Sequence, residues 1–149
     1  MGDDGFAQHV LEFMENNKNK LFNTYSDVNI DLIDIGTAGL SMAKILEDYD
    51  AVIFIDAIRM GNKPGEIYEF EIKMNDIPKK MDISFSFHDS KIEELISFSK
   101  SINSLPDKVF IIGCEPKEIS LGIELSDELK LKVKSVVERI FKIISTISN

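Results

Sequence analysis

Asp56 is the residue whose surroundings most demand a chemical explanation. It follows Ala51-Val52-Ile53-Phe54-Ile55, so it stands where an unpaired carboxylate is costly to desolvate. Hydrogen bonds from loop amides would satisfy it, and so would a cation. Taken alone the amide arrangement is the commoner one, because a carboxylate with backbone donors needs nothing else. His88 is one of only two histidines, the other being His9, beside Gln8 and expected to be exposed. His88-Asp89-Ser90 reads equally as a helix-capping segment and as a segment carrying a metal ligand. Asp3-Asp4 stands just ahead of a helix, where aspartate is favoured by the dipole and by capping. One aspartate suffices for that, which leaves the second available. Cys114 with His88 as base would make a thiol nucleophile, although a strand-end cysteine is more commonly buried and inert. The chain has no G-x-S-x-G elbow, no H-E-x-x-H and no phosphate-cradling glycine loop.

The elements that must position these residues follow from apolar spacing. Phe6, Val10, Phe13 and Met14 recur at helical intervals and predict a helix over Gly5 to Lys20, weakening across Asn16 to Asn19. Val28, Ile30 and Leu32 alternate with polar residues before Ile33 and Ile35, which predicts a strand ending at Gly36. Gly36-Thr37-Ala38-Gly39 reads as a tight turn, with a short helix over Leu40 to Leu46. Ala51 to Ile55 reads as a strand covered on both faces and stopping at Asp56. Pro64-Gly65 marks a turn, and Ile67 to Ile72 alternates like an edge or hairpin strand. Ile83, Phe85 and Phe87 alternate with polar residues, and Ser90 with Glu93 forms a capping box for a helix reaching about Lys100. Val109 to Ile112 is a second buried strand, ending at Gly113-Cys114-Glu115-Pro116. Leu129, Val133, Val136, Val137, Ile140, Phe141 and Ile144 form the stripe of a long last helix, with Ser126 placed to cap it.

Strands alternating with helices imply βαβ units, hence an α/β fold with a mostly parallel sheet and helices on both faces. In such sheets ligands bind where the C-terminal ends of strands meet their loops. Asp34 to Gly39, Asp56 and Cys114 to Pro116 all fall at such ends. With 149 residues and no repeat or linker, a single domain is expected over 1–149. A net charge of -9 argues against nucleic acid and anionic membrane as partners. The apolar runs are too short to span a bilayer and the chain opens on no basic signal region, so the cytoplasm is the expected compartment. One cysteine excludes an internal disulfide and a multi-cysteine zinc site.

In order and spacing these segments resemble the hydrogenase maturation proteases. Met1-Gly2-Asp3-Asp4-Gly5 looks like the family's N-terminal acidic pair opening the first helix. Asp34-Ile35-Gly36-Thr37-Ala38-Gly39 is similar to its D-G-G-T-x-G turn, with Ile35 replacing a glycine. Ile55-Asp56-Ala57 with Pro64-Gly65, and then His88 before a helix, match the motifs that follow. Gly113-Cys114-Glu115-Pro116 with Leu121-Gly122-Ile123-Glu124-Leu125-Ser126 resembles the last strand, loop and helix start.

The resemblance implies a three-layer αβα sandwich around a mostly parallel twisted sheet, of the phosphorylase/hydrolase type. It also implies an endopeptidase that trims the C-terminal tail of a nickel-loaded hydrogenase large-subunit precursor. In that reading Asp4, Asp56 and His88 contact the metal, Asp34 is associated with cleavage, and Gly36, Thr37 and Gly39 shape the cleft. The nickel arrives with the substrate as a checkpoint instead of being a permanent cofactor, and cadmium or zinc is expected to substitute in vitro. The branch serving deazaflavin-reducing hydrogenases is one expected destination. Family members normally carry a strand and a G-x-G-N-like turn ahead of the acidic pair, so this sequence is expected to lack the family's first strand. Two other readings stand beside this one: a non-enzymatic metal- or partner-binding relative that has lost cleavage, and a thiol hydrolase built on Cys114.

Overall fold

The computed structural model describes residues 5–23, 27–35, 39–73, 86–87, 91–116 and 127–148. The chain opens with α1 (Phe6–Asn16) and a short α2 (Lys18–Phe22). They are separated at Asn17, whose side-chain amide donates to the Phe13 carbonyl at 2.8 Å. That local bond competes with helix continuation, as asparagine tends to do, and turns the single helix read from the sequence into two. A 3-10 turn (Gly39–Ser41) leads into α3 (Met42–Leu46), followed by β1 (Ala51–Arg59), β2 (Ile67–Ile72) and β3 (Ser86–Phe87). Then come α4 (Lys91–Ser101), β4 (Lys108–Cys114) and α5 (Asp127–Ser148). The capping residues Ser90 and Ser126 lie outside the described residues.

The described sheet runs β2-β4-β1-β3. Its centre is the parallel pair of β1 and β4, in register from Ala51 opposite Lys108 to Ala57 opposite Cys114. β2 pairs with β4 antiparallel, as an edge strand should, and β3 pairs with the end of β1 antiparallel. Alternation along the central pair divides the side chains between two cores. Ile53, Ile55, Phe110, Ile112 and Cys114 face α1 and α5, whereas Val52, Phe54, Ile58, Val109 and Ile111 face α3 and α4. Helices on both faces explain why these strands read as continuous apolar runs. The predicted stripe of α5 is buried from Leu129 to Ile144, joined by Ile143.

Two expectations from the sequence are corrected here. β1 does not stop at Asp56 but continues to Arg59. Asp56 and Ala57 stay in the ladder with Gly113 and Cys114, and Ile58 and Arg59 pair with Phe87 and Ser86. Backbone pairing thus carries the strand through the carboxylate. Residues 28–35, in contrast, form no strand. Val28, Ile30 and Leu32 pack against the α1/α5 core, as their alternation implies, but among the described residues no strand lies beside them. Alternation reports which face is buried, whereas strand formation also needs a hydrogen-bonding neighbour.

Gly113 is a point of close approach. A Cβ there would lie 2.1 Å from Ile58 Cδ1 and 2.9 Å from Ile58 Cβ. The first clash could be relieved by a rotamer change, but the second requires the strands themselves to shift. Gly113→Ala is therefore expected to destabilise the fold by about 1–3 kcal/mol, read from urea denaturation. Pairing it with Ile58→Ala should recover part of the loss through the space that opens.

Candidate functional site

The ends of β1 and β4 carry the chemistry-bearing side chains. Asp56 lies opposite Gly113 in the parallel ladder, and its Oδ1 accepts a 2.8 Å hydrogen bond from the Ala57 amide. By strand alternation it shares the α3/α4 face with Phe54 and Ile58. It is half-buried, and its backbone is held in the ladder of a central strand. On the other side of β1, Phe87 pairs with Ile58, two positions beyond Asp56. Phe87 is the residue immediately before His88, which itself lies outside the described residues, as do Asp4, Gly36 and Thr37.

Asp34 is exposed at the end of the 28–35 segment, where its Oδ2 accepts a long 3.4 Å contact from Gln8 Nε2 near the start of α1. Immediately after it, the Gly39 amide donates to the Ile35 carbonyl at 3.0 Å and closes a turn. Gly39 has a φ of 57°, in the left-handed region where a residue with a Cβ is disfavoured. The glycine expected to shape the cleft is therefore required by the turn itself. His9 is half-buried, not exposed as its polar neighbour suggested.

Cys114 is fully buried in the α1/α5 core. A nucleophile must meet substrate, and a thiol sealed among Ile112, Leu129 and their neighbours does not. The thiol-hydrolase reading loses its nucleophile on this ground. Among the described residues, no three His, Cys, Asp or Glu side chains gather as a metal cluster, and Asp56 is the one described member of the expected trio.

The sequence reading did not single out Glu115, which the structure shows to be an organising group. It is 4% exposed, and its Oε1 accepts from the Met60 amide at 2.9 Å, the Asn62 amide at 3.2 Å and the Tyr68 hydroxyl at 2.6 Å. Its own amide donates to the Glu66 carbonyl and its carbonyl accepts from the Gly65 amide, both at 2.8 Å. One side chain and its backbone thus fasten the loop that leaves β1 to the end of β4. Gly65, at φ 90°, supplies the backbone conformation at the Pro64-Gly65 turn. The available signal was Glu115 directly after a buried strand, the same logic that drew attention to Asp56.

A model of the hydrogenase maturation protease family matches residues 11–143. The chain belongs to the hydrogenase maturation protease family. A hydrogenase 2 maturation peptidase from a Thaumarchaeota archaeon shares the fold with a TM-score of 0.65 and 30% identity, over 97% of this chain and 90% of that one. The coenzyme F420 hydrogenase subunit delta of Methanothermobacter thermautotrophicus is 28% identical over 95% of this chain and 84% of its own length. The hydrogenase expression/formation protein HupD of Rhodobacter capsulatus is 28% identical over 78% of this chain. The match covers 52% of that protein, so this chain spans about half the length of such relatives.

The Glu115 network has a measurable consequence at high pH. Burial, followed by the hydrogen bond to Glu115, pushes the Tyr68 hydroxyl up from 10.0 to about 12. A phenol whose folded pKa exceeds its unfolded value favours folding below the unfolded pKa and loses that contribution as pH rises through the folded one. Stability should therefore fall between pH 10 and about 12. Ultraviolet difference titration of Glu115→Gln should show Tyr68 ionising at lower pH than in the parent, with the burial part of the shift retained. An unchanged titration would contradict the assigned contact.

Proposed function

We propose that this chain is an endopeptidase removing the C-terminal tail of a hydrogenase large-subunit precursor after nickel has been inserted. The observation that carries the reading is the half-buried carboxylate of Asp56 on a central strand, with Phe87, the residue before His88, paired two positions beyond it. In the proposal Asp4, Asp56 and His88 contact the nickel that the precursor carries. Two carboxylates and an imidazole form a borderline-hard donor set that suits nickel or zinc better than copper(I). Three protein donors leave positions for groups of the substrate. Asp34, exposed at the end of 28–35, takes part in cleavage, and Gly36, Thr37 and Gly39 are the residues proposed to shape the cleft. Nickel enters as part of the substrate and reports that the precursor is loaded, and cadmium or zinc can take its place in vitro. Among the described residues no helix is long and apolar enough to cross a membrane, and the reaction is proposed to take place in the cytoplasm. The similarity to an F420 hydrogenase subunit favours a deazaflavin-reducing hydrogenase as the source of the precursor.

A second reading is a relative that binds the loaded precursor without cutting it. Both readings require recognition of the nickel. Binding of nickel-loaded and nickel-free precursor should therefore differ in Kd by at least about tenfold, or roughly 1.4 kcal/mol. Asp56→Ala and His88→Ala should each abolish that preference while retaining the parent melting temperature. Equal affinity for the two precursor forms, or a preference that survives both substitutions, would refute the assigned metal contacts.

A further inference from the structure

In a chain of net charge -9, three cations gather at one place. Lys63, Lys132 and Arg139 border an open pocket of about 340 Å³ between α5 and the start of β2, with Glu66 as the acidic residue in its wall. Helix and turn bring them together for separate reasons. Lys132 and Arg139 stand close to two helical turns apart, so they share one face of α5 at a spacing of about 10 Å. Arg139 meets Glu69 of β2 at 3.5 Å, which sets that face beside the strand. Lys63 comes from the turn ahead of β2, and that turn is anchored from within, since the buried Gly65 donates its amide to the Glu115 carbonyl at 2.8 Å. The cations are poorly compensated where they stand. Lys132 is half-buried and Lys63 exposed, and neither forms an ion pair among the described residues. The Arg139 contact is long and its two side chains are 46% and 39% exposed, so it holds Arg139 weakly. Like charges held together repel, and carboxylates placed among them would relieve the repulsion.

We propose that this pocket docks an acidic, extended segment of a protein partner. On the processing reading, on which this step rests, the partner is the hydrogenase precursor. The negative charge of the rest of the chain disfavours nucleic acid, whereas a peptide with a few carboxylates matches the pocket locally. Alternate side chains of an extended peptide point to one side, so acidic residues at every second position would all face the cations. The position in the fold suits the same occupant. Ile67, in the pocket wall, lies opposite Cys114, and Cys114 lies opposite Ala57, the residue after Asp56. Two strand spacings, about 10 Å, therefore separate Ile67 from the β1 position beside Asp56. An extended chain crosses that distance in about three or four residues. A partner seated at Asp56 can thus reach the pocket around the end of β4. The pocket contains none of the proposed metal contacts, so it would add affinity without reading the metal.

Two measurements separate the pocket from the processing reading. The first titrates the isotope-labelled full chain with a blocked peptide that alternates glutamate and serine, and follows backbone amide shifts by NMR. Saturable shifts should appear at 63–67 and 132–139, and the lysine-serine analogue should produce none. Lys63→Glu/Lys132→Glu should weaken the peptide by about tenfold or more, with Lys63→Gln/Lys132→Gln intermediate. Melting temperatures show that each variant is folded. An absence of shifts at the pocket would overturn the proposal. So would the same shifts from inorganic phosphate at equal concentration, which would mark a site for simple anions. The second measures binding of the nickel-loaded and nickel-free precursor. Lys63→Glu/Lys132→Glu should raise Kd for both forms by one common factor of about tenfold or more, chiefly through slower association, and leave the preference for nickel intact. Lys18→Glu/Lys20→Glu makes the same change in net charge on α2 and should alter neither form by more than about twofold, because remote charges are screened. An equal loss from the α2 variant, or a loss confined to the loaded form, would overturn the proposal. Peptide shifts at the pocket of a chain that binds neither precursor form would refute the processing reading and keep the pocket as an acidic-segment site.

Discussion

A strand covered on both faces has no water to turn to, so every backbone group along it must find a partner within the protein. The parallel ladder of β1 and β4 meets this requirement from Ala51 and Lys108 to Ala57 and Cys114, and much of the molecule is arranged around it. Gly113 is bare because Ile58 must lie across it. Glu115 is buried because the chain leaving β1 turns sharply, and the amides of Met60 and Asn62 need an acceptor there. Asp56 retains its strand pairing while placing a carboxylate at the C-terminal end of the sheet. Among the described residues, the far edge of β1 is paired at Ile58 and Arg59, with Phe87 and Ser86.

Much of this was legible in the sequence because burial leaves a period. The helices α1 and α5, the two central strands, the edge character of β2 and the burial of Cys114 all follow from apolar spacing and from the cost of exposing it. The attention given to Asp56 has a related reason: a carboxylate after five apolar residues is energetically conspicuous, and the structure holds it half-buried on β1, accepting from the Ala57 amide. The misreadings came from pairing and from local hydrogen bonds, which composition does not encode. Residues 28–35 have the alternation of a strand, but among the described residues no neighbouring strand pairs with them. Asn17 ends a helix through its own amide, and β1 passes beyond Asp56 because β3 is there to receive it. Glu115 stands out only in the folded loop, where the Met60 and Asn62 amides and the Tyr68 hydroxyl converge on it.

Family membership joins these parts into a functional account. A rigid central ladder holds one carboxylate at a fixed place, a glycine turn closes beside Asp34, and a buried glutamate fixes the neighbouring loop. Such preorganisation lowers the ordering cost of binding a substrate, because the groups that meet it are fixed in advance.

The most direct measurement is mass spectrometry of the hydrogenase large-subunit precursor after incubation with this chain, in nickel-loaded and nickel-free form. The account predicts loss of the C-terminal tail from the loaded precursor only, with cleavage abolished by Asp56→Ala. Cleavage of the nickel-free precursor at the same rate would contradict the checkpoint. Tight binding of the loaded precursor with its tail left intact would identify the chain as a binding relative instead of a protease.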